Sequence, residues 1–250
     1  MTQQIRHGII DYLDVMRMSG VGELVKPIRK SRTKGVPAIP PVSEPNDAAV
    51  VRNEPVKVDV LNKPDALRLL AEEVSRCSLC TLLARTRTQT VFGVGNPDTR
   101  LVFIGEAPGG EEDKQGEPFV GRAGQLLNDI ISKGMKIRRE DVYICNILRC
   151  RPPENRNPAP SEAANCRPFL DRTLDIVKPG FICCLGTIAS QNLLATDRTI
   201  GSMRGKVFDY RGIKVVCTYH PAYLLRNPAM KRETWKDIQL LMQEMGLPIN

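Results

Sequence analysis

The sequence predicts an α/β domain, a three-layer sandwich in which helices cover both faces of a central, mostly parallel sheet. Three observations lead there. Short runs at 101–105 (LVFIG), 141–148 (DVYICNIL) and 181–185 (FICCL) are almost continuously apolar, as strands covered on both faces are. Segments of helical periodicity alternate with them. A turn signal, Arg211-Gly212, joins two further strand-like runs near the end. At 250 residues the chain is long enough to bury one substantial core and still carry a tail.

Residues 4–18 carry Ile5, Ile9, Leu13 and Met16 at spacings that fit a short amphipathic helix, ended by Gly20 and Gly22. Asp11 and Asp14 argue against a transit peptide, which is acid-poor. From about Pro27 to Pro55, scattered Pro, Lys, Arg and Ser without periodicity read as a flexible linker. Residues 1–58 are therefore expected to be an N-terminal extension whose helix either docks on a protein partner or frays. Residues 59–250 are expected to be the folded domain.

That domain opens at Asn62-Lys63-Pro64-Asp65, a helix start with Asn62 as cap and proline in the first turn. Leu67, Leu70, Ala71 and Val74 share one face of this helix, which leads into Cys77-Ser78-Leu79-Cys80. The strand at 101–105 follows and breaks at Glu106-Ala107-Pro108-Gly109-Gly110. Helix 121–133 should turn Leu126, Leu127, Ile130 and Ile131 inward. Strand 141–148, the loop CRPPENRNPAP and a helix opening at Ser161-Glu162 come next. After strand 181–185 and helix 187–194, the hairpin 206–210/213–218 precedes Tyr219-His220-Pro221, and a last helix spans about 231–245.

Composition excludes some classes. No apolar run approaches the roughly 20 residues of a membrane helix, and no secretory h-region follows Met1. A membrane partner is not expected, and a cytoplasmic protein is. With 36 basic against 28 acidic residues the net charge is +8, which makes a polyanion such as nucleic acid a plausible partner. Of the eight cysteines, Cys145, Cys183, Cys184 and Cys217 lie in apolar runs and read as small buried hydrophobes.

The other four sit in polar, basic contexts. Cys77-x2-Cys80 puts two thiolates on one turn, while Cys150 and Cys166 come singly from distant segments. Four such ligands suit either a tetrahedral zinc or a four-iron cluster. In open α/β sheets ligands bind at the carboxyl ends of strands. Glu106 stands there, with Ala107 and Pro108 behind it, then Glu111, Glu112 and Asp113, then Phe119. Such acids would repel a phosphate, so a small, flat, neutral ligand fits better.

Four motifs in this order, CSLC, GEAPGGEEDKQGEPFVGRAGQLL, CNILRCRPPENRNPAPSEAANC and HPAYLLRNP, make residues 75–245 resemble the family 4 uracil-DNA glycosylases, the iron–sulfur type. The resemblance implies a uracil-DNA glycosylase-like fold, uracil-containing DNA as partner and a monomeric enzyme that hydrolyses the N-glycosidic bond of uracil. It implies that Cys77, Cys80, Cys150 and Cys166 hold a 4Fe–4S cluster. Glu106 and His220 would flank the scissile bond, Phe119 would stack on the flipped base, and Asn146 would read its polar edge. Glu112 is the candidate wall against the methyl group of thymine, and Leu224 the apolar wedge for the gap left in the duplex. Arg226, Arg204 and the cluster Arg149, Arg151 and Arg156 are candidates for phosphate contacts.

Some relatives insert a histidine-bearing segment after the third cysteine that traps a covalent adduct; CRPPENRNP has no histidine, so turnover is expected. A lyase step would need a nucleophilic lysine. Lys114, among acids, should stay protonated. Competing readings are a non-catalytic uracil-DNA or single-strand binder on the same fold, a zinc-stabilised nucleotide enzyme, and a Cys217–His220 nucleophile pair.

Overall fold

A computed structural model describes residues 62–249. The expected N-terminal helix, the linker and the boundary near residue 58 lie outside the described residues.

The first helix, α1 (Lys63–Ser75), begins as the sequence predicts: the Asn62 side chain accepts from the Asp65 N–H at 2.9 Å, and Pro64 fills the first turn. A short helix α2 (Thr81–Thr86) follows. The sheet is then built from β1 (Val94–Gly95), β2 (Leu101–Gly105), β3 (Tyr143–Asn146), β4 (Phe181–Leu185), β5 (Val207–Tyr210) and β6 (Ile213–Thr218). Its order is β1-β3-β2-β4-β6-β5. The four inner strands are parallel, and the two edge strands run antiparallel to their neighbours.

Between strands lie α3 (Gly110–Gln115), α4 (Arg122–Asp129, prolonged by a π turn at Ile130–Gly134), α5 (Pro160–Val177), α6 (Thr187–Leu194) and α7 (Ile200–Met203). After the sheet come α8 (Pro221–Arg226) and α9 (Lys231–Met245).

Strand alternation divides the core in two. Val102, Ile104, Cys145, Ile182, Cys184, Val215 and Cys217 face α1, α5 and α6, with Leu67, Leu170, Leu174 and Leu193 opposite. Leu101, Phe103, Ile144, Cys183 and Val216 face the other way, toward Leu127 and Ile131 of the α4 region and Ile238, Leu241 and Met242 of α9. This is the three-layer sandwich the continuous apolar runs predict. Cys145, Cys183, Cys184 and Cys217 are fully buried in it.

Several expectations shift in detail. The third strand is shorter than 141–148, because Asp141 closes a 3₁₀ turn. Helix α3 starts at Gly110, where a loop is expected, because three acids in its first turn complement the helix dipole. Leu126 and Ile130 are only half-buried; with Leu224 and Trp235 they line an apolar hollow.

Candidate active site

The chain goes from β2 to β3 on one side, then crosses back to β4 on the other side of β2. At such a switch point the loops diverge and leave a crevice beyond the strand ends. Three parallel strands deliver side chains to it: Glu106 directly follows β2, Asn146 ends β3, and His220 lies two residues past the end of β6. The crevice is a cavity of about 380 Å³ lined by Glu106, Ala107, Pro108, Glu112, Phe119, Asn146, His220, Tyr223 and Arg226, among others. A wider, more open hollow at Gln191–Asp197 offers only one ionisable side chain and is no rival.

Glu106 is fixed by continuation of the β2–β3 ladder. Ile147 donates to the Gly105 carbonyl at 2.9 Å and Leu148 to that of Glu106 at 3.0 Å. Burial raises the Glu106 carboxyl above its ordinary pKa. Asn146 is 2 % exposed, and its side-chain amide has no hydrogen-bond partner among the described residues. It offers one donor and one acceptor pair to whatever occupies the cavity. Only a glycine fits at 105, because a Cβ there would strike both Asn146 Oδ1 and the Phe119 ring.

Phe119 is 5 % exposed and takes a left-handed backbone, φ 55°. The conformation is braced on both sides. Arg139 Nη2 donates to the Pro118 carbonyl at 2.7 Å, and Glu112 Oε1 accepts from Val120 and Gly121, each at 3.0 Å. Glu112 Oε2 also accepts from Gly109 at 3.1 Å, so one carboxylate ties the two loops of the cavity together. The Phe119 ring lies 5.6 Å from that of His220.

His220 caps α8: its Nδ1 accepts from the Ala222 N–H at 3.1 Å. Gly186, with φ 94°, leaves room for the approach, since a Cβ there would come within 2.9 Å of His220 Cβ. Burial, with a smaller push from Arg226, lowers the imidazole pKa to about 4. The ring is therefore neutral at neutral pH. With Nδ1 accepting, the hydrogen-bond pattern assigns the proton to Nε2. The site thus presents a neutral N–H donor, a desolvated carboxylate, an unsatisfied amide and an aromatic face.

Comparison with known proteins gives the family. Residues 92–239 match the family model of the Uracil DNA glycosylase superfamily. A type-4 uracil-DNA glycosylase of Thermotoga maritima is 45 % identical over 181 residues, which cover 71 % of this chain and 93 % of that one. The type-4 uracil-DNA glycosylase of Archaeoglobus fulgidus is 41 % identical over 190 residues, covering 73 % and 94 %. The chain belongs to the type-4 uracil-DNA glycosylases. A type-5 uracil-DNA glycosylase of Pyrobaculum aerophilum is more distant, 29 % identical over 149 residues covering 53 % of this chain and 66 % of that one.

The type-4 chain gathers its four polar-context cysteines on one flank. Cys150 and Cys166 pack with Leu83 and Leu148, and Cys80 and Ala107 lie against them. Cys77 and Cys80 both bear on the thiol of Cys150, which burial pushes up and Arg87 pulls down. Burial likewise pushes Cys166 up to about 11. Among the described residues no three His, Cys, Asp or Glu side chains meet as ligands of one ion would. Four thiols gathered on one flank are the donor set of a metal–thiolate group, whether a four-iron cluster or a single zinc. The donor set fits such a group.

Several expected DNA contacts of this type-4 chain are corrected. Leu224 is 1 % exposed and packs toward α4 and α9, so it is core and not a wedge. Arg204 is clamped by Asp237 at 2.7 Å and lies over the Tyr219 ring at 4.5 Å, which removes it from solvent phosphate. Arg149 is buried, whereas Arg156 pairs with Glu162 at 2.6 Å and stays exposed in the cavity lining. Arg226 is exposed at the cavity mouth, and Arg151, half-buried, bonds Asn155 at 2.8 Å. Sequence reasoning missed the Arg204–Tyr219–Tyr223 stack, whose two rings lie 4.9 Å apart. The only trace of it in the sequence is the spacing Tyr219-x3-Tyr223 within a helix start.

Proposed function

We propose that this type-4 uracil-DNA glycosylase excises uracil by binding the extrahelical base in the cavity between β2, β3 and β6, with Glu106 and His220 as its catalytic residues. The observation that supports this most is the His220 cap, since an Nδ1 committed to Ala222 leaves Nε2–H for the ligand.

A base in a duplex must leave the stack before its glycosidic bond is reached. Stacking on Phe119 offsets part of that cost, on the order of 1–3 kcal/mol. The Asn146 amide matches uracil O4 and N3–H; cytosine inverts both polarities and leaves buried groups unpaired. Thymine differs by one methyl, so its exclusion is steric, and Glu112 is the wall, held rigid by its three N–H donors. As the bond breaks, uracil gathers negative charge at O2 and the sugar becomes oxocarbenium-like. Neutral His220 donates from Nε2 to O2, and the Glu106 carboxylate stabilises the sugar and orients the attacking water. The products are free uracil and an abasic site, with no Schiff base.

Cys77, Cys80, Cys150 and Cys166 would hold a 4Fe–4S cluster, which ties three chain segments together and takes no part in the bond cleavage. Arg226 and Arg151 contact phosphates. The enzyme acts as a monomer in the cytoplasm, where its DNA is.

The test is incubation of the anaerobically purified chain with single uracil-containing oligonucleotides, followed by alkaline cleavage. Strand breaks at uracil alone, abolished in Glu106→Gln, are expected. Binding without cleavage would overturn the enzymatic reading in favour of a binding module.

A further inference from the structure

Arg149 is among the largest side chains fully buried in the described chain, 1 % exposed, yet no described carboxylate pairs with it. Its Nη1 donates to the Asn146 carbonyl at 3.0 Å and its Nη2 to Thr173 Oγ1 at 3.2 Å, both neutral groups. Its guanidinium lies over the Phe92 ring at 5.2 Å, and Nε has no partner. A buried cation without an anion is strongly unfavourable. Something anionic must face it.

The neighbouring groups that can become anionic are the cysteines. Arg149 lies next to Cys150 in the chain, and Cys150 packs against Cys166. A second guanidinium stands on the same pocket: Arg87 Nη1 donates to Cys150 Sγ at 3.0 Å, while Nη2 donates to the Cys77 carbonyl at 2.8 Å and that of Ser75 at 3.3 Å. It too has no carboxylate partner among the described residues.

We propose that Arg149 and Arg87 are the counter-cations of an anionic metal–thiolate group on Cys77, Cys80, Cys150 and Cys166. The inference rests on the metal-site reading above. Four thiolates around a four-iron core in its usual oxidised state carry a net double negative charge, and a zinc tetrathiolate carries the same. Two guanidiniums, one fully buried on the residue before Cys150 and one donating to the Cys150 thiol, neutralise it. Because Arg149 also donates to the Asn146 carbonyl, neutralising Arg149 braces the end of β3 that reads the base.

The experiment uses the full chain, purified anaerobically, with iron and zinc per chain measured by mass spectrometry. The rate of metal loss to EDTA is then followed in wild type, Arg149→Met, Arg149→Lys, Arg87→Met and Arg87→Lys. Removing a group that supports a metal's ligands typically costs about 10–100-fold in affinity, so metal loss in the Met variants should accelerate by that order. The Lys variants, which keep the charge, should stay close to wild type. Met variants that hold metal as wild type does would overturn the proposal. So would Lys variants that lose it as fast as Met, since shape would then matter and charge would not.

If Arg149→Met does not fold, the half-buried Arg87 pair decides alone. A wild-type chain carrying neither metal fails the metal-site reading itself, before any variant is compared. Zinc in place of iron overturns the cluster and leaves the counter-cation test standing.

Discussion

His220 shows how one local contact sets a chemical state. The Ala222 N–H that it caps settles which ring nitrogen faces the cavity, and burial keeps the ring neutral down to about pH 4. Asparagine is also a good cap, so His220→Asn should preserve α8 while removing the donor to O2. We expect kcat to fall about 10²–10³-fold with a Tm near that of wild type, measured by single-turnover kinetics and thermal melts. The depressed pKa also fixes the sign of a stability effect. The unfolded ring binds a proton near pH 6.5 and the folded ring only near 4, so stability is fully present above 6.5 and is lost as pH falls toward 4. His220→Asn should flatten that part of the Tm–pH curve. If Glu106 is the catalytic carboxylate, the acid limb of the rate profile should be its own, and burial raises that pKa from its ordinary value. Glu106→Gln should lose that limb along with most of the rate, and wild type should show no inflection near the pKa of an ordinary histidine.

The elements carry the site through glycines and latches. A Cβ at Gly105 would collide with both Asn146 and Phe119, and one at Gly124 with the Phe119 carbonyl. Gly105→Ala should cost about 1–3 kcal/mol by overpacking, and kcat/KM for uracil should fall more than that stability loss explains, because the two base-contacting residues move together. An unchanged kcat/KM would remove Asn146 and Phe119 from base recognition. Much of this architecture was legible beforehand. Strand 181–185, helices 187–194 and 231–245 and the Asn62 cap stand where periodicity and capping chemistry put them. Glu106 was legible as a strand-end residue, because parallel strands expose their carboxyl ends, whereas Asn146 and His220 were named only through the family resemblance. Leu224 and Arg204 were not, because a helix start and a basic loop say nothing about which way a side chain turns. Leu224 turns inward to meet Trp235, and the buried Asp237 that claims Arg204 lies 33 residues further on. The short helices α2, α3, α7 and α8 have too few turns to show a period.

Over the whole molecule, the arginines divide into those spent internally and those left for DNA. Arg149 and Arg204 are engaged within the fold. Arg226 faces outward at the mouth of the cavity. If Arg226 contacts a phosphate, Arg226→Gln should reduce the slope of log K against log salt by about one, measured on an uncleavable uracil analogue. Arg204→Gln should leave that slope unchanged and lower Tm, since it leaves Asp237 buried without its cation.

The delivery of Glu106, Asn146 and His220 from three strand ends has a temporal consequence. The residues are spread over more than a hundred positions, and β6, which carries the last of them, pairs with β4 inside the sheet. A chain emerging from the ribosome therefore owns its carboxylate and its base-reading amide long before its imidazole. It can cut nothing until β6 has slotted beside β4 and α8 has wound. If these three residues act as proposed, excision is withheld from every unfinished copy, and the return of activity during refolding should coincide with closure of the sheet.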